Sequence, residues 1–194
     1  MEDILAIVDQ VVDVVFVFSP ILCYGLQVAE MVKTRSADGF STYVSLIVFM
    51  SNLIRIFWWF SEKFSFVLLG TSIVSVVMQF VLIFYWVKIV TNDGKALFKN
   101  EAFWYWNKFS TYLTCIAMVI ASLGMTTQMI GENKLYSDAL GTASAAIEAL
   151  LPTPQFMLIY KNKHTAGVSL TMILLWVIGD GFKVYYYISN NSPF

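Results

Sequence analysis

The chain has 194 residues, of which 58% are hydrophobic and only 13% are charged, and its 12 basic and 13 acidic residues nearly cancel. Soluble domains carry about a quarter of their residues as charges, so this composition excludes a soluble globular protein and indicates a membrane protein. The balanced charge leaves no basic surface for nucleic acid, and no cofactor, metal or nucleophile–base motif supports catalysis.

Six apolar stretches are long enough to cross a bilayer, since a spanning helix needs roughly 20 mostly apolar residues. They run over residues 11–32, 42–60, 65–90, 103–129, 137–160 and 168–188. The N-terminus is acidic where a signal peptide would be basic, so we interpret the first stretch as a retained span. The chain is therefore predicted to be an all-α, multi-pass membrane protein.

The basic residues predict how these spans are oriented. The loops after the first, third and fifth spans hold Lys33, Arg35, Lys88, Lys95, Lys99, Lys108, Lys161 and Lys163, whereas the opposite side holds Lys63 and Lys134. Because short cytosolic loops are enriched in Lys and Arg, the first set is expected in the cytosol and the N-terminus in the lumen.

An internal repeat relates the first and fifth spans with the segments that follow them. The stretch 148–189 falls without a gap on 20–61, so that Gln155 matches Gln27 and Asp180 matches Asn52. Four crossings separate the two copies, and both therefore enter the bilayer from the same side. Parallel repeats of this kind indicate a transporter-like architecture with a site between the copies.

Two prolines late in the fifth span predict a hinge. Pro152 and Pro154 have no N–H to donate, so inside a continuous helix they would free the carbonyls of Glu148 and Leu150. Gln155 and its repeat counterpart Gln27 complete the predicted hinge. A static kink filled by neighbouring side chains is the alternative interpretation.

Polar and ionisable residues inside the spans predict an internal cavity, because such groups are costly in hydrocarbon and usually face the bundle interior. Asp180 and Lys183 share one face of the sixth span, and Asn52 and Arg55 repeat that spacing in the second. Glu148 is a plausible ionic partner for Arg55, and a lipid phosphate is another. These five residues form our predicted cavity for substrate or protons; a salt-bridge network that only fixes packing is the alternative.

Several motifs resemble those of the PQ-loop repeat family. They are the PQ motif at residues 151–155, its counterpart at Gln27, and the Gly-x-Ser that follows the first loop of each repeat. The segments 36–42, 52–58 and 176–183, with Glu148-Ala149, are most similar to the PQ-loop repeat-containing protein 1 subgroup of solute carrier family 66. The first repeat departs from the pattern, since Leu26 stands where the proline is expected.

The resemblance implies a SWEET-like fold in which two parallel three-helix bundles are joined by a linker helix. We expect residues 1–90 to form the first repeat bundle, 91–135 a loop with linker helix four, and 136–194 an incomplete second repeat. The family's seventh helix has no counterpart among the six stretches. The open interpretations are a shortened isoform, a truncated gene model and a genuine six-helix form. The incomplete bundle is then either inactive or completed by a homo-oligomer or a partner chain.

For function, the resemblance implies a protein of endosomal and trans-Golgi membranes, with the lysosome as an alternative location. It further implies phospholipid translocation between leaflets and endosome-to-Golgi retrograde traffic. A proton-coupled transporter of a small solute such as an amino acid, and a cargo receptor without transport activity, remain alternatives. The expected partners are thus membrane lipids, and for the proton-coupled transporter a small solute and protons.

Overall fold

The computed structural model describes residues 2–37, 39–92 and 103–162, together with residues 174, 177–179 and 181. Over these residues the chain is built from helices joined by short turns and contains no strand, which confirms the all-α prediction. The helices are α1 (Glu2–Thr34), α2 (Thr42–Ser61), α3 (Phe66–Asn92), α4 (Phe109–Ile130), α5 (Lys134–Ala149) and α6 (Pro152–Asn162).

Within these described residues, four helices are long and apolar enough to cross a membrane. The qualifying segments are Gln10–Thr34, Thr42–Ser61, Phe66–Thr91 and Phe109–Ile130. They correspond to the first four predicted spans, so the polytopic architecture is confirmed. The sixth predicted span, residues 168–188, lies mostly outside the described residues.

The prediction of one continuous helix over residues 137–160 is wrong. The chain forms α5 and α6 instead, separated by a turn at Leu150 and Leu151. At 16 residues, α5 is about 24 Å long, which is shorter than the hydrocarbon core that a single helix must cross. Pro152 becomes the first residue of α6, where a missing N–H costs nothing.

The backbone at this break has its hydrogen bonds satisfied, contrary to the expectation of freed carbonyls. The carbonyl of Glu148 accepts from the N–H of Leu151 at 2.9 Å, and that of Leu150 accepts from Thr153 at 3.0 Å. Two tight turns therefore replace the helical bonds that Pro152 and Pro154 remove.

The first three helices form a bundle in which α3 packs against both α1 and α2. Small residues permit the close approach of α1 and α3, since a Cβ at Gly70 would lie 3.2 Å from a methyl of Val17. In the core of this bundle Val44, Phe49 and Leu82 are fully buried, together with the polar side chains of Ser45 and Gln79. This bundle is the scaffold against which α5 docks through α2.

Helix α4 begins later than predicted, because residues 103–108 turn inward instead of continuing a helix. Trp104 is fully buried at a φ of 64°, a region that bulky residues avoid, so its surroundings must hold it there. The Tyr112 hydroxyl donates to the Trp104 carbonyl at 3.1 Å and accepts from the Trp106 N–H at 2.9 Å. Thr42 donates to the same Trp104 carbonyl at 2.8 Å, which ties the turn to α2.

Tyr112→Phe is expected to destabilise this turn. The change removes both hydrogen bonds of the hydroxyl and leaves the half-buried N–H of Trp106 unpaired, which costs roughly 1–3 kcal/mol. The melting temperature of the detergent-solubilised protein should fall. Tyr160→Phe is the matched control, because Tyr160 is 78% exposed on α6, and equal melting of the two variants would contradict the prediction.

Gly141 sets the distance between α5 and α2. A Cβ at this position would lie 2.9 Å from two ring atoms of Trp58, which is only 3% exposed. The Trp58 ring is also fixed by donation from its indole N–H to the hydroxyl of Ser137 at 3.1 Å. A shift of the Trp58 ring or of α5 that made room for a Cβ at Gly141 would break the hydrogen bond between Trp58 and Ser137.

Gly141→Ala is therefore expected to lower stability by roughly 1–3 kcal/mol through overpacking, although alanine is the better helix former. Gly124→Ala is the matched control, since its Cβ would lie at an ordinary 3.6 Å from Phe57. Thermal melting of both variants in detergent checks the prediction. A Gly141→Ala protein at least as stable as Gly124→Ala would refute the tight contact.

Candidate functional site

A cavity of about 360 Å³ lies where α1, α2 and α3 meet the C-terminal end of α5. Its polar lining comes from α1 with Ser19, α2 with Asn52 and Arg55, α3 with Thr71 and Ser75, and α5 with Glu148. Among its described lining residues, Arg55 and Glu148 carry the only charges. The cavity therefore combines a net-neutral ionic pair with hydroxyl and amide groups.

Arg55 and Glu148 form an ion pair between their Nη2 and Oε2 atoms, as the sequence analysis anticipated. Their side chains are only 6% and 20% exposed, so the charges are largely removed from solvent. Arg55 belongs to α2 of the first repeat and Glu148 to α5 of the second. The pair thus joins the two repeats at the wall of the cavity.

Asn52 and Arg55 share one face of α2 because they are three residues apart. Each is 5% exposed, and the Asn52 amide donates to the Val48 carbonyl at 2.9 Å. That bond holds the Asn52 side chain along its own helix and beside Arg55. Both residues consequently present polar groups to the cavity from α2.

The α1 side of the cavity is an apolar wall. It is lined there by Val11, Val12, Val15 and Leu22, with exposed fractions of 56%, 37%, 65% and 57%. These side chains are not covered by other described helices, and in a bilayer they would meet acyl chains. The cavity is therefore polar towards α2 and α5 and apolar towards the lipid side of α1.

The structure brings together three of the five predicted cavity residues, namely Asn52, Arg55 and Glu148. Asp180 and Lys183 lie outside the described residues, although the neighbouring Ile178 and Gly179 line the cavity. Whether any of the five binds substrate stays a prediction.

Of the predicted hinge residues, the described Gln27, Pro152 and Pro154 do not line this cavity. Gln27 is 1% exposed within the first bundle, and the Gln155 side chain lies outside what the structure describes. Pro154 lines a separate cavity of about 470 Å³, with Tyr43, Tyr105 and Lys161. That the break between α5 and α6 acts as a hinge stays a prediction. The structure has a turn at this position where the sequence predicted a kinked helix.

Sequence reasoning missed Ser19, Cys23, Thr71 and Ser75 as lining residues. Thr71 and Ser75 offered one usable signal, since a spacing of four places both on the same face of α3. Small hydroxyl residues are common in membrane helices, where they bond to their own backbone, as Thr71 does to Val67 at 2.9 Å. Their polar role here depends on tertiary packing.

A family model and several curated proteins match this chain, and one of these relatives is described here. The family model, described as the PQ loop repeat, matches residues 27–68 and 136–194, together more than half of the chain. The relative is Scramblase ANY1 of Saccharomyces cerevisiae, 21% identical over an alignment of 247 residues that covers 88% of this chain and 61% of the relative. The chain thus spans about three fifths of the length of that relative. No solved structure matches.

Proposed function

This chain belongs to the PQ-loop repeat family, and we propose that it lets phospholipids cross between the two leaflets of a membrane. The headgroup would pass through the cavity between α2 and α5 while the acyl tails remain in lipid beside α1. The relative that carries the name scramblase supports this activity, and the cavity supplies a route for it.

The observation that carries the proposal is a cluster of polar groups, from Asn52, Arg55 and Glu148, inside a mostly apolar cavity that lies behind an exposed apolar wall. A charged headgroup crosses hydrocarbon slowly, because charges taken out of water lose their solvation. Arg55, Glu148 and Asn52 offer replacement partners for the headgroup at membrane depth. The exposed Val11, Val15 and Leu22 let the tails stay outside.

The test is lipid transfer in vesicles. The purified protein is reconstituted with a fluorescent phospholipid, and a membrane-impermeant quencher is added from outside. Transfer exposes the inner-leaflet lipid, so the fluorescence should fall well below the level reached in protein-free vesicles. Bleaching that stops at the outer-leaflet share would refute the proposal.

A proton-coupled carrier for a small solute is the second candidate function. Glu148 favours it, because a carboxylate beside a cavity of about 360 Å³ is placed to exchange a proton with a bound solute. A carrier predicts saturable amino-acid uptake that is driven by a pH gradient and lost in Glu148→Gln. Uptake that ignores the gradient in both proteins would remove this candidate.

The cellular setting is proposed from the subgroup resemblance, with residence in endosomal and trans-Golgi membranes and a part in retrograde traffic. The N-terminus is proposed to face the lumen because of the distribution of Lys and Arg. Co-localisation with compartment markers tests the residence, and protease protection of an N-terminal tag tests the orientation. A stable protein partner without vesicle transfer would instead favour a cargo receptor.

A further inference from the structure

We propose that the bundle of α1, α2 and α3 binds water at a buried site formed by Gln27, Ser45 and Gln79. The three side chains are 1%, 0% and 0% exposed. Among the described residues, none pairs with the amide nitrogen of Gln27, with either amide atom of Gln79 or with the Ser45 hydroxyl. The site is separate from the lining of the cavity, and it would hold water whether or not the cavity carries lipid.

Two close contacts fix the register between α1 and α3. A Cβ on Gly70 would lie 3.2 Å from a methyl group of Val17, and a Cβ on Gly25 would lie 4.0 Å from the terminal methyl group of Met78. In each pair the residue of α3 is numbered 53 above the residue of α1, so the two helices are parallel and keep one register. Position 27 of α1 is therefore level with position 80 of α3, which is next to Gln79.

The three polar residues continue the helix faces that line the cavity. Each is three or four positions from a lining residue, and it therefore lies on the same face of its helix. These lining residues are Tyr24 for Gln27, Val48 for Ser45 and Ser75 for Gln79. Short turns join α1 to α2 and α2 to α3, so α2 runs opposite to the other two helices. All three steps then lead towards the end of the bundle where α1 joins α2, and the polar residues lie one helical turn beyond the cavity.

The unpartnered atoms call for a ligand that both donates and accepts hydrogen bonds. A buried polar group without a hydrogen bond is unfavourable, and native interiors pair such groups with protein atoms or with bound water. The amide nitrogens of Gln27 and Gln79 need acceptors, the Gln79 amide oxygen needs a donor, and the Ser45 hydroxyl can use either. Water supplies both, since an internal water bonds to about two to four polar groups. The cavity one turn away gives the water a route of entry.

The ring of Phe49 is placed to report on this site. Phe49 is 0% exposed, follows Ser45 by one turn of α2, and its ring centroid lies 4.8 Å from that of Phe80, at the level of Gln27. In X-ray hydroxyl-radical footprinting, radicals form from bound water and oxidise the side chains beside it, even where bulk solvent does not reach them. We expect Phe49 to be oxidised in the detergent-solubilised protein, whereas Tyr112, also 0% exposed, should stay unlabelled. Phe49 as unreactive as Tyr112 would overturn the proposed water site.

Two variants test whether the water is held by the buried amides. Gln79→Leu removes both unpartnered amide atoms of Gln79 and keeps a side chain of similar size, so the label on Phe49 should be lost. Gln128→Leu is the matched control, because Gln128 is exposed on α4, and it should keep the label. Undiminished oxidation of Phe49 in Gln79→Leu would place the water elsewhere and overturn the assignment.

The melting temperature gives an independent test, because the direction of its change depends on whether the site holds water. If Gln79 had no partner at all, replacing its amide with an apolar side chain would raise the melting temperature. If water joins the polar groups, Gln79→Leu displaces it and leaves Gln27 and Ser45 unpaired. The melting temperature of Gln79→Leu should therefore fall below that of Gln128→Leu. A value equal to or above that of the control would overturn the water site.

Discussion

Attaching a bulky thiol reagent to Cys23 is expected to reduce lipid transfer at least about tenfold, because the adduct would occupy the proposed route of the headgroup. Cys23 is a half-buried cysteine on α1 that lines the cavity with Asn52, Arg55 and Glu148. A methanethiosulfonate reagent with a bulky substituent reacts with thiolates, which form where water reaches the sulfur. Transfer is measured in vesicles before and after the reagent, and then after a reductant.

The design avoids the folding problems of a substitution, because the native protein is modified and then restored. The reductant should return the rate to its starting value. Cys23→Ala is the matched control and should transfer lipid at the same rate with and without the reagent. It still contains Cys115, a half-buried cysteine on α4 outside the cavity lining. Full transfer by the modified native protein would place the lipid route elsewhere.

The sequence predicted the helical architecture because long apolar runs have few alternatives in a bilayer, where backbone groups must be satisfied within the segment. The pairing of Arg55 with Glu148 was also within reach. Arg55 has no acidic residue on its own helix, and Glu148 lies in another predicted span. These two facts limit the possible ion pairs. Because buried charges need partners, the identities of these two residues suggested that Arg55 pairs with Glu148.

The break between α5 and α6 and the turn before α4 were less predictable. At each of them, backbone conformations of similar energy compete. A proline inside a helical pattern can kink the helix or start a new one. Pro152 starts α6 because the turns at Leu151 and Thr153 satisfy the carbonyls that a kink would leave open. The inward turn at Trp104 depends on hydrogen bonds from Tyr112 and Thr42, and no pattern in the neighbouring sequence predicts those bonds.

The role of the apolar wall of the cavity was also difficult to predict from the sequence. The sequence around Val11, Val12 and Val15 is typical of residues that face lipid, and these side chains are exposed in the structure. Their proposed role in lipid transfer depends on Ser19, Cys23 and the α2 residues, which line the same cavity. The position of an apolar surface relative to a polar one is a property of packing, which periodicity along one helix does not encode.

Glu148→Gln is expected to destabilise the contact between the repeats by about 3 kcal/mol. Removing one partner of a buried ion pair costs roughly 3–5 kcal/mol because the other charge stays buried without it. We place this pair at the low end of that range, since Glu148 is 20% exposed while Arg55 is 6% exposed. The free energy of unfolding, measured in mixed micelles with a denaturing detergent, should fall accordingly.

The double variant Arg55→Gln with Glu148→Gln separates the loss of a partner from the loss of the pair. With both charges removed, neither position holds a buried charge that lacks this ion pair, so most of the lost stability should return. Glu132→Gln is the control for a change of net charge, because Glu132 is exposed in the turn after α4. A double variant as unstable as the sum of the two single variants would mean that Arg55 and Glu148 do not interact energetically. The inter-repeat ion pair would then have no part in docking α5 against α2, and the cavity between them would need another means of support.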